Sequence, residues 1–125
     1  MHALIIEDEA MIAMCIEEAL RDCGFATFDF ADCLETAVRA AEEACPDLIT
    51  ADVRLTRSCG IEAVQIICVE QPIPVIFITG SWQDVEARLP GYPLLRKPFT
   101  VAQLSKAVRA LPMQVQGDAA QTAVA

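Results

Sequence analysis

Four short polar clusters follow apolar runs in this sequence, and their residue types mark where chemistry could occur. Glu7 and Asp8 follow residues 3–6, Asp52 follows Leu48–Ala51, Thr79 closes residues 74–79, and Lys97 follows Leu94–Arg96. Three carboxylates drawn together in a partly desolvated site repel one another, and a proton or a hard cation relieves the repulsion. Oxygen ligands that leave positions open to water suit Mg²⁺ or Mn²⁺. A lysine adds fixed positive charge, and a threonine adds a hydroxyl donor. A carboxylate nucleophile with these neighbours suits a phosphoryl group, whose equatorial oxygens require neutralisation.

The elements that must bring these residues together can be read from the apolar spacing. Short apolar runs at residues 3–6, Thr27–Ala31, Leu48–Ala51, residues 74–79 and Leu94–Arg96 predict five strands. Between them, amphipathic runs predict helices over Ala10–Asp22, 33–44, 61–70, 83–89 and 101–111. Gly24 and Pro46 act as stops. Asp32 reads as an N-cap with Glu35 in an acidic capping box, and Thr100 with Gln103 reads as a second box. Strict β-α alternation with continuous apolar strands predicts a parallel sheet covered on both faces. The expected fold is a doubly wound α/β unit of five parallel strands in the order 2-1-3-4-5, flavodoxin-like. In such a sheet ligands bind at the carboxyl ends of the strands beside the switch point, here between the first and third strands. Glu7, Asp8, Asp52, Thr79 and Lys97 all fall on that edge.

Length and charge narrow the partners. The 125 residues fit one domain, and an apolar content of 54% is too high for intrinsic disorder. The net charge of −9 disfavours binding to nucleic acid or to an anionic membrane surface, while permitting cations. No apolar run reaches the ~18 residues of a membrane span, and MHALIIEDE is not a secretory signal. Six cysteines without a CxxC pair, beside the single His2, make a zinc site unexpected. They read as free thiols serving as small core residues in a reducing cytoplasm. Residues 113–125 lack periodicity and read as a flexible tail after a domain spanning 1–112. The segment 61–69 is apolar nearly all round, which predicts deep burial or a self-association face, and hence a homodimer.

Taken together, Ile6-Glu7-Asp8-Glu9, Asp52-Val53-Arg54-Leu55, Gly60, Ile78-Thr79-Gly80 and Lys97-Pro98-Phe99 resemble the receiver domain of two-component response regulators. The resemblance covers residues 3–111. It implies a stand-alone, CheY-like, cytoplasmic receiver with Asp52 as phosphoacceptor. Asp8 would hold Mg²⁺ directly, Glu7 through water, and the backbone carbonyl of Arg54 would be a further ligand. Thr79 would donate to a phosphoryl oxygen, Lys97 would pair with the phosphoryl group, and the Lys97-Pro98 peptide would be cis. The donor would be a histidine kinase or a histidine phosphotransfer protein. Output would pass to a further, unidentified protein, or the chain would act as a phosphate sink.

The sequence departs from the family pattern at three places. Leu94 stands where a switch aromatic is usual, with Tyr92 two residues earlier. Thr56 replaces a common proline, and the stretch from Thr79 to Lys97 is short, so the fourth helix should be reduced. The run Phe77-Ile78-Thr79-Gly80-Ser81-Trp82 is similar to the alphaproteobacterial FAT GUY receivers, with Ile78 and Trp82 in place of alanine and tyrosine. Arg54 and Ser81 sit at positions that influence phosphoryl lifetime in receivers. Arg54 could reach the phosphoryl group, or pair with a carboxylate and shield the site. Two other functions compete. A haloacid-dehalogenase-type phosphatase needs a second acid two residues after its nucleophile, where this chain has Arg54. A pseudo-receiver that only binds partners would not need to keep the acids, Thr79 and Lys97.

Overall fold

The computed structural model describes residues 1–69 and 71–112. The expected tail at 113–125 lies outside the described residues. Strands β1 (His2–Ile6), β2 (Thr27–Ala31), β3 (Leu48–Ala51), β6 (Val75–Thr79) and β7 (Leu94–Arg96) form one sheet, and all its pairings are parallel. Its order is β2-β1-β3-β6-β7, which is the expected 2-1-3-4-5 when only sheet strands are counted. Two further strands, β4 (Arg54–Leu55) and β5 (Ser58–Cys59), make a small antiparallel hairpin after Asp52 that apolar spacing does not announce.

The alternation of side chains along each strand divides the core in two. Leu4, Ile6, Ile49, Ala51, Val75 and Phe77 face one side, where they meet Ala37, Ile61, Val64 and Val85. Those residues belong to α2 (Leu34–Glu43), α3 (Gly60–Ile67) and α4 (Trp82–Arg88). Ala3, Ile5, Leu48, Ile76 and Ile78 face the other side, against Ile16 and Leu20 of α1 (Ala10–Asp22) and Leu104 and Val108 of α5 (Val101–Arg109). Burying each large aliphatic side chain contributes roughly 1.5–3 kcal/mol, so the central strands form a stiff platform for whatever their carboxyl ends carry.

Several local expectations are corrected. The N-cap of α2 is Cys33, not Asp32, and its box partner is Thr36, not Glu35. The helix begins one residue later than expected, so the capping positions move with it. Helix α3 stops at Ile67 rather than at residue 70, ahead of Pro72 and Pro74, which cannot continue a helix. It is not buried all round: Ile61, Ala63 and Val64 are covered, while Ile66 and Val69 just beyond the helix end stay exposed. The cysteines are free but not core residues. Cys15 and Cys45 are exposed, and Cys23, Cys59 and Cys68 lie only against the margins of the core. Burial raises the Cys68 thiol above its ordinary pKa. The fourth helix is short, as the spacing predicts, with seven residues.

Candidate functional site

Strand endings place the polar groups, and the hydrogen-bond ladder continues one residue past the strands to hold them. Glu7 N–H donates to the Ala31 carbonyl at 2.9 Å, and Asp52 N–H donates to the Ile6 carbonyl at 3.0 Å. Lys97 N–H donates to the Thr79 carbonyl at 3.1 Å. The backbones of Glu7, Asp52 and Lys97 are therefore fixed by the sheet itself rather than by loops. Carboxylate oxygens of Glu7, Asp8 and Asp52 lie within 4.8 Å of one another. Lys97 Nζ donates to Glu7 Oε1 at 3.0 Å and to Asp52 Oδ2 at 2.8 Å. Asp8 is exposed at the mouth, while Glu7, Asp52 and Thr79 are buried.

One lysine faces three carboxylates in this cluster, so negative charge is left over. Burial raises the Glu7 carboxyl above the usual glutamate value, Lys97 draws it back in part, and the Asp52 charge pushes it further up. Burial alone would lower the Lys97 ammonium, but the bonds to Asp52 and Glu7 outweigh it and hold its pKa above the ordinary lysine value. The acidic cluster offers hard oxygen donors at a spacing that could hold a metal ion. Its surplus negative charge is the electrostatic reason such an ion would be welcome.

Gly60 secures the backbone of Asp52. A Cβ at Gly60 would overlap the Asp52 carbonyl oxygen, and Gly60 N–H donates to the Val53 carbonyl at 2.8 Å. Only a residue without a side chain allows the start of α3 to pack so closely against the end of β3. The Lys97-Pro98 peptide is cis. Thr79 Oγ1 accepts from Ser81 N–H at 3.0 Å, which leaves the threonine proton free to be donated elsewhere.

Among the described residues, Arg54 pairs with a hydroxyl rather than with a carboxylate. Its Nε donates to Ser81 Oγ at 2.8 Å, joining the hairpin to the start of α4. The Arg96 guanidinium lies over the Trp82 ring, its Cζ 3.7 Å from the ring centroid. Leu94 packs against the core, and Tyr92 meets Phe77 with ring centroids 5.8 Å apart. The Arg54–Ser81 bond and the Trp82–Arg96 stack escaped the sequence reading. Each joins residues on separate elements, and neither has a local pattern; the one available signal was a serine in an N-cap context after Gly80.

A doubly wound sheet with acids, a hydroxyl and a lysine on its carboxyl edge defines a receiver-type α/β module. The chain belongs to the response regulator receiver domain family, whose sequence model matches residues 3–109. It is 37% identical over 111 residues to the transcriptional regulatory protein PdtaR of Mycobacterium tuberculosis, covering 86% of this chain and 54% of that protein. It is 36% identical over 110 residues to the phyllosphere-induced regulator PhyR of Methylorubrum extorquens, covering 84% of this chain and 41% of that one. The chain thus spans about half the length of these relatives or less. The solution structure of the receiver domain of Erythrobacter litoralis PhyR superposes with a TM-score of 0.77 at 32% identity. That match covers 93% of this chain and 95% of the other. Receivers of this kind are signalling modules, and among the described residues no helix is long and apolar enough to cross a membrane.

Proposed function

We propose that this chain is a phosphoryl-accepting switch of a two-component or phosphorelay pathway in the cytoplasm, with Asp52 as the acceptor. The observation that carries the reading is the Lys97 bridge to Glu7 and Asp52 at 3.0 and 2.8 Å, with Asp8 beside them. The donor is a phosphohistidine on a histidine kinase or a phosphotransfer protein. An Asp52 carboxylate oxygen forms the bond to phosphorus as the N–P bond of the donor breaks, and the electron pair of that bond stays on the imidazole nitrogen. Lys97 neutralises charge on the transferred group, and the Thr79 hydroxyl donates to one of its oxygens. Glu7, Asp8, Asp52 and the Arg54 carbonyl would hold Mg²⁺ or Mn²⁺, and the bound ion supplies positive charge against the phosphoryl oxygens.

Output follows through contacts with another protein, or the chain drains phosphoryl groups as a sink. Self-association through the exposed Ile66 and Val69 would appear as a dimer in light scattering; a monomer at high concentration would remove that contact.

Incubation with acetyl phosphate and Mg²⁺, followed by intact mass measurement, tests the central reading. The wild-type chain should gain one labile phosphoryl group, and Asp52→Asn should gain none. A wild type that gains no mass, even with a phosphohistidine donor, would be a binding module without phosphoryl chemistry.

A further inference from the structure

Ser81 occupies the N-cap position of α4, yet its side chain bonds none of that helix's free amides. Serine is among the best N-cap residues because its oxygen accepts from the second or third N–H of a helix. Here that oxygen accepts from Arg54 Nε at 2.8 Å, across 27 residues of sequence. Only a backbone bond, from Asp84 N–H to the Ser81 carbonyl at 3.1 Å, closes the first turn. The start of α4 is tied to the acidic site on two more sides. Ser81 N–H donates to Thr79 Oγ1, and Trp82 carries Arg96, the residue before Lys97.

We propose that phosphorylation moves Arg54 from the Ser81 hydroxyl to the phosphoryl oxygens, and that the released Ser81 hydroxyl then caps α4. The inference rests on Asp52 being the phosphoacceptor. Arg54 stands two residues beyond Asp52, in the hairpin strand β4 that follows the carboxyl end of β3. A guanidinium binds phosphoryl oxygens through charge-assisted bonds, often two in parallel, and these are stronger than its bond to a neutral hydroxyl. A phosphoryl group adds about −1.5 to −2 charge. It therefore draws Arg54 away from Ser81. The freed hydroxyl accepts from the N–H of Gln83 or Asp84 and caps α4. Ser81 Oγ here bonds Arg54 and no helix amide, and a hydroxyl that trades the one partner for the other is the bistable element that a local charge change can bias. The exchange needs no aromatic ring at Leu94, because the signal passes through the helix cap.

Trp82 is the single tryptophan of the chain and sits in the first turn of α4, so its emission reads the state of the cap. The test compares the wild type, Arg54→Ala, Ser81→Ala and the double variant, with and without acetyl phosphate and Mg²⁺. Intact mass reports phosphorylation separately. Without any phosphodonor, Arg54→Ala should already show the Trp82 emission of the phosphorylated wild type. Adding Ser81→Ala should return that emission to the unphosphorylated value. Ser81→Ala alone should gain phosphoryl mass and lose the emission change. The proposal is overturned if Arg54→Ala without donor matches the unphosphorylated wild type, or if Ser81→Ala keeps the full response. A wild type that gains no mass overturns the phosphoacceptor reading and this inference together. Normal mass gain with unaltered Trp82 behaviour in the variants overturns this inference alone.

Discussion

At the amino end of β1, His2 bonds Thr27 Oγ1 at 2.8 Å and Asp29 Oδ2 at 3.0 Å, and its backbone N–H donates to Asp47 at 2.7 Å. At the other end of the same short strand, Glu7 and Asp52 share Lys97. The two networks have similar distances but different surroundings. The His2 and Asp29 side chains are 21% and 41% exposed, whereas those of Glu7, Asp52 and Lys97 are 1%, 9% and 18% exposed. Water screens the first network, and its groups are a brace between neighbouring strands. The second lies where screening is weak and carboxylates outnumber their cation, so charge there changes affinity for protons, metals and phosphoryl groups. Position on the sheet, not hydrogen-bond length, separates a brace from a reactive site.

Substitutions can break or sharpen this contrast. The largest effect should come from Gly60→Ala, because the new methyl group meets the Asp52 carbonyl rather than a yielding side chain. A loss of ~3 kcal/mol, at the upper end of overpacking costs, is expected in urea melts, together with slower phosphorylation. A melt like that of the wild type would mean that the carboxyl edge has more slack than the packing implies. Lys97→Ala should follow, since it leaves Glu7 and Asp52 buried without their cation. Some 2–3 kcal/mol should be lost in metal-free buffer, less than for a fully enclosed pair because water reaches Lys97. Mg²⁺ should recover part of that loss, and phosphorylation-dependent signalling should weaken. Because the Lys97 pKa is raised, the stability it confers should be constant below the ordinary lysine value of 10.5 and should fade as pH rises above it.

Glu7→Gln probes the surplus charge itself. Folding raises the Glu7 pKa, so the folded state binds that proton more tightly than the unfolded chain does. The resulting stability is fully present below the ordinary value of 4.5 and is lost as pH rises through the raised one. The metal-free wild type should show this decline in Tm, and Glu7→Gln should lack it. A decline unchanged by the substitution would assign it to another group. Saturating Mg²⁺ should raise the wild-type Tm at neutral pH more than that of Glu7→Gln, by the linkage of binding to folding. The smallest effect belongs to the other end of β1: His2→Ala should cost about 0.5 kcal/mol, as screened surface pairs do. A cost as large as that of Lys97→Ala would erase the distinction between the two networks.

Much of this organisation was legible in the chain. Helix α1 runs over Ala10–Asp22 as its periodicity indicates, and the sheet order follows from strict alternation and crossover handedness. The convergence of Glu7, Asp8, Asp52 and Lys97 was legible because each follows its own strand, and strand ends share an edge. What escaped the sequence depends on surroundings more than on pattern. A thiol at the N-cap of α2 carries none of the usual capping signal. The two-residue strands β4 and β5 are too short to show a period. The His2 network has no local signal either, because its partners Thr27 and Asp29 lie on another strand. Burial of the cysteines was misjudged because nearly all of them flank the elements rather than line their inner faces. Cys23, Cys33, Cys59 and Cys68 cap helices, Cys45 lies in a connection, and Cys15 alone sits within a helix, exposed.

The position of Asp29 has a further meaning for crowded solution. Strand β2 closes one side of the sheet, so among the described residues its outer backbone groups have no neighbouring strand. It carries Phe28 and a half-exposed Phe30, a pairing that favours adhesion between sheet edges. Asp29 sets a negative charge on the opposite face of the strand from the two rings, and such charges act as gatekeepers against aggregation. The residue that braces His2 in a single molecule thus also helps keep neighbouring molecules apart, and colloidal stability becomes a property written into the same five-residue strand.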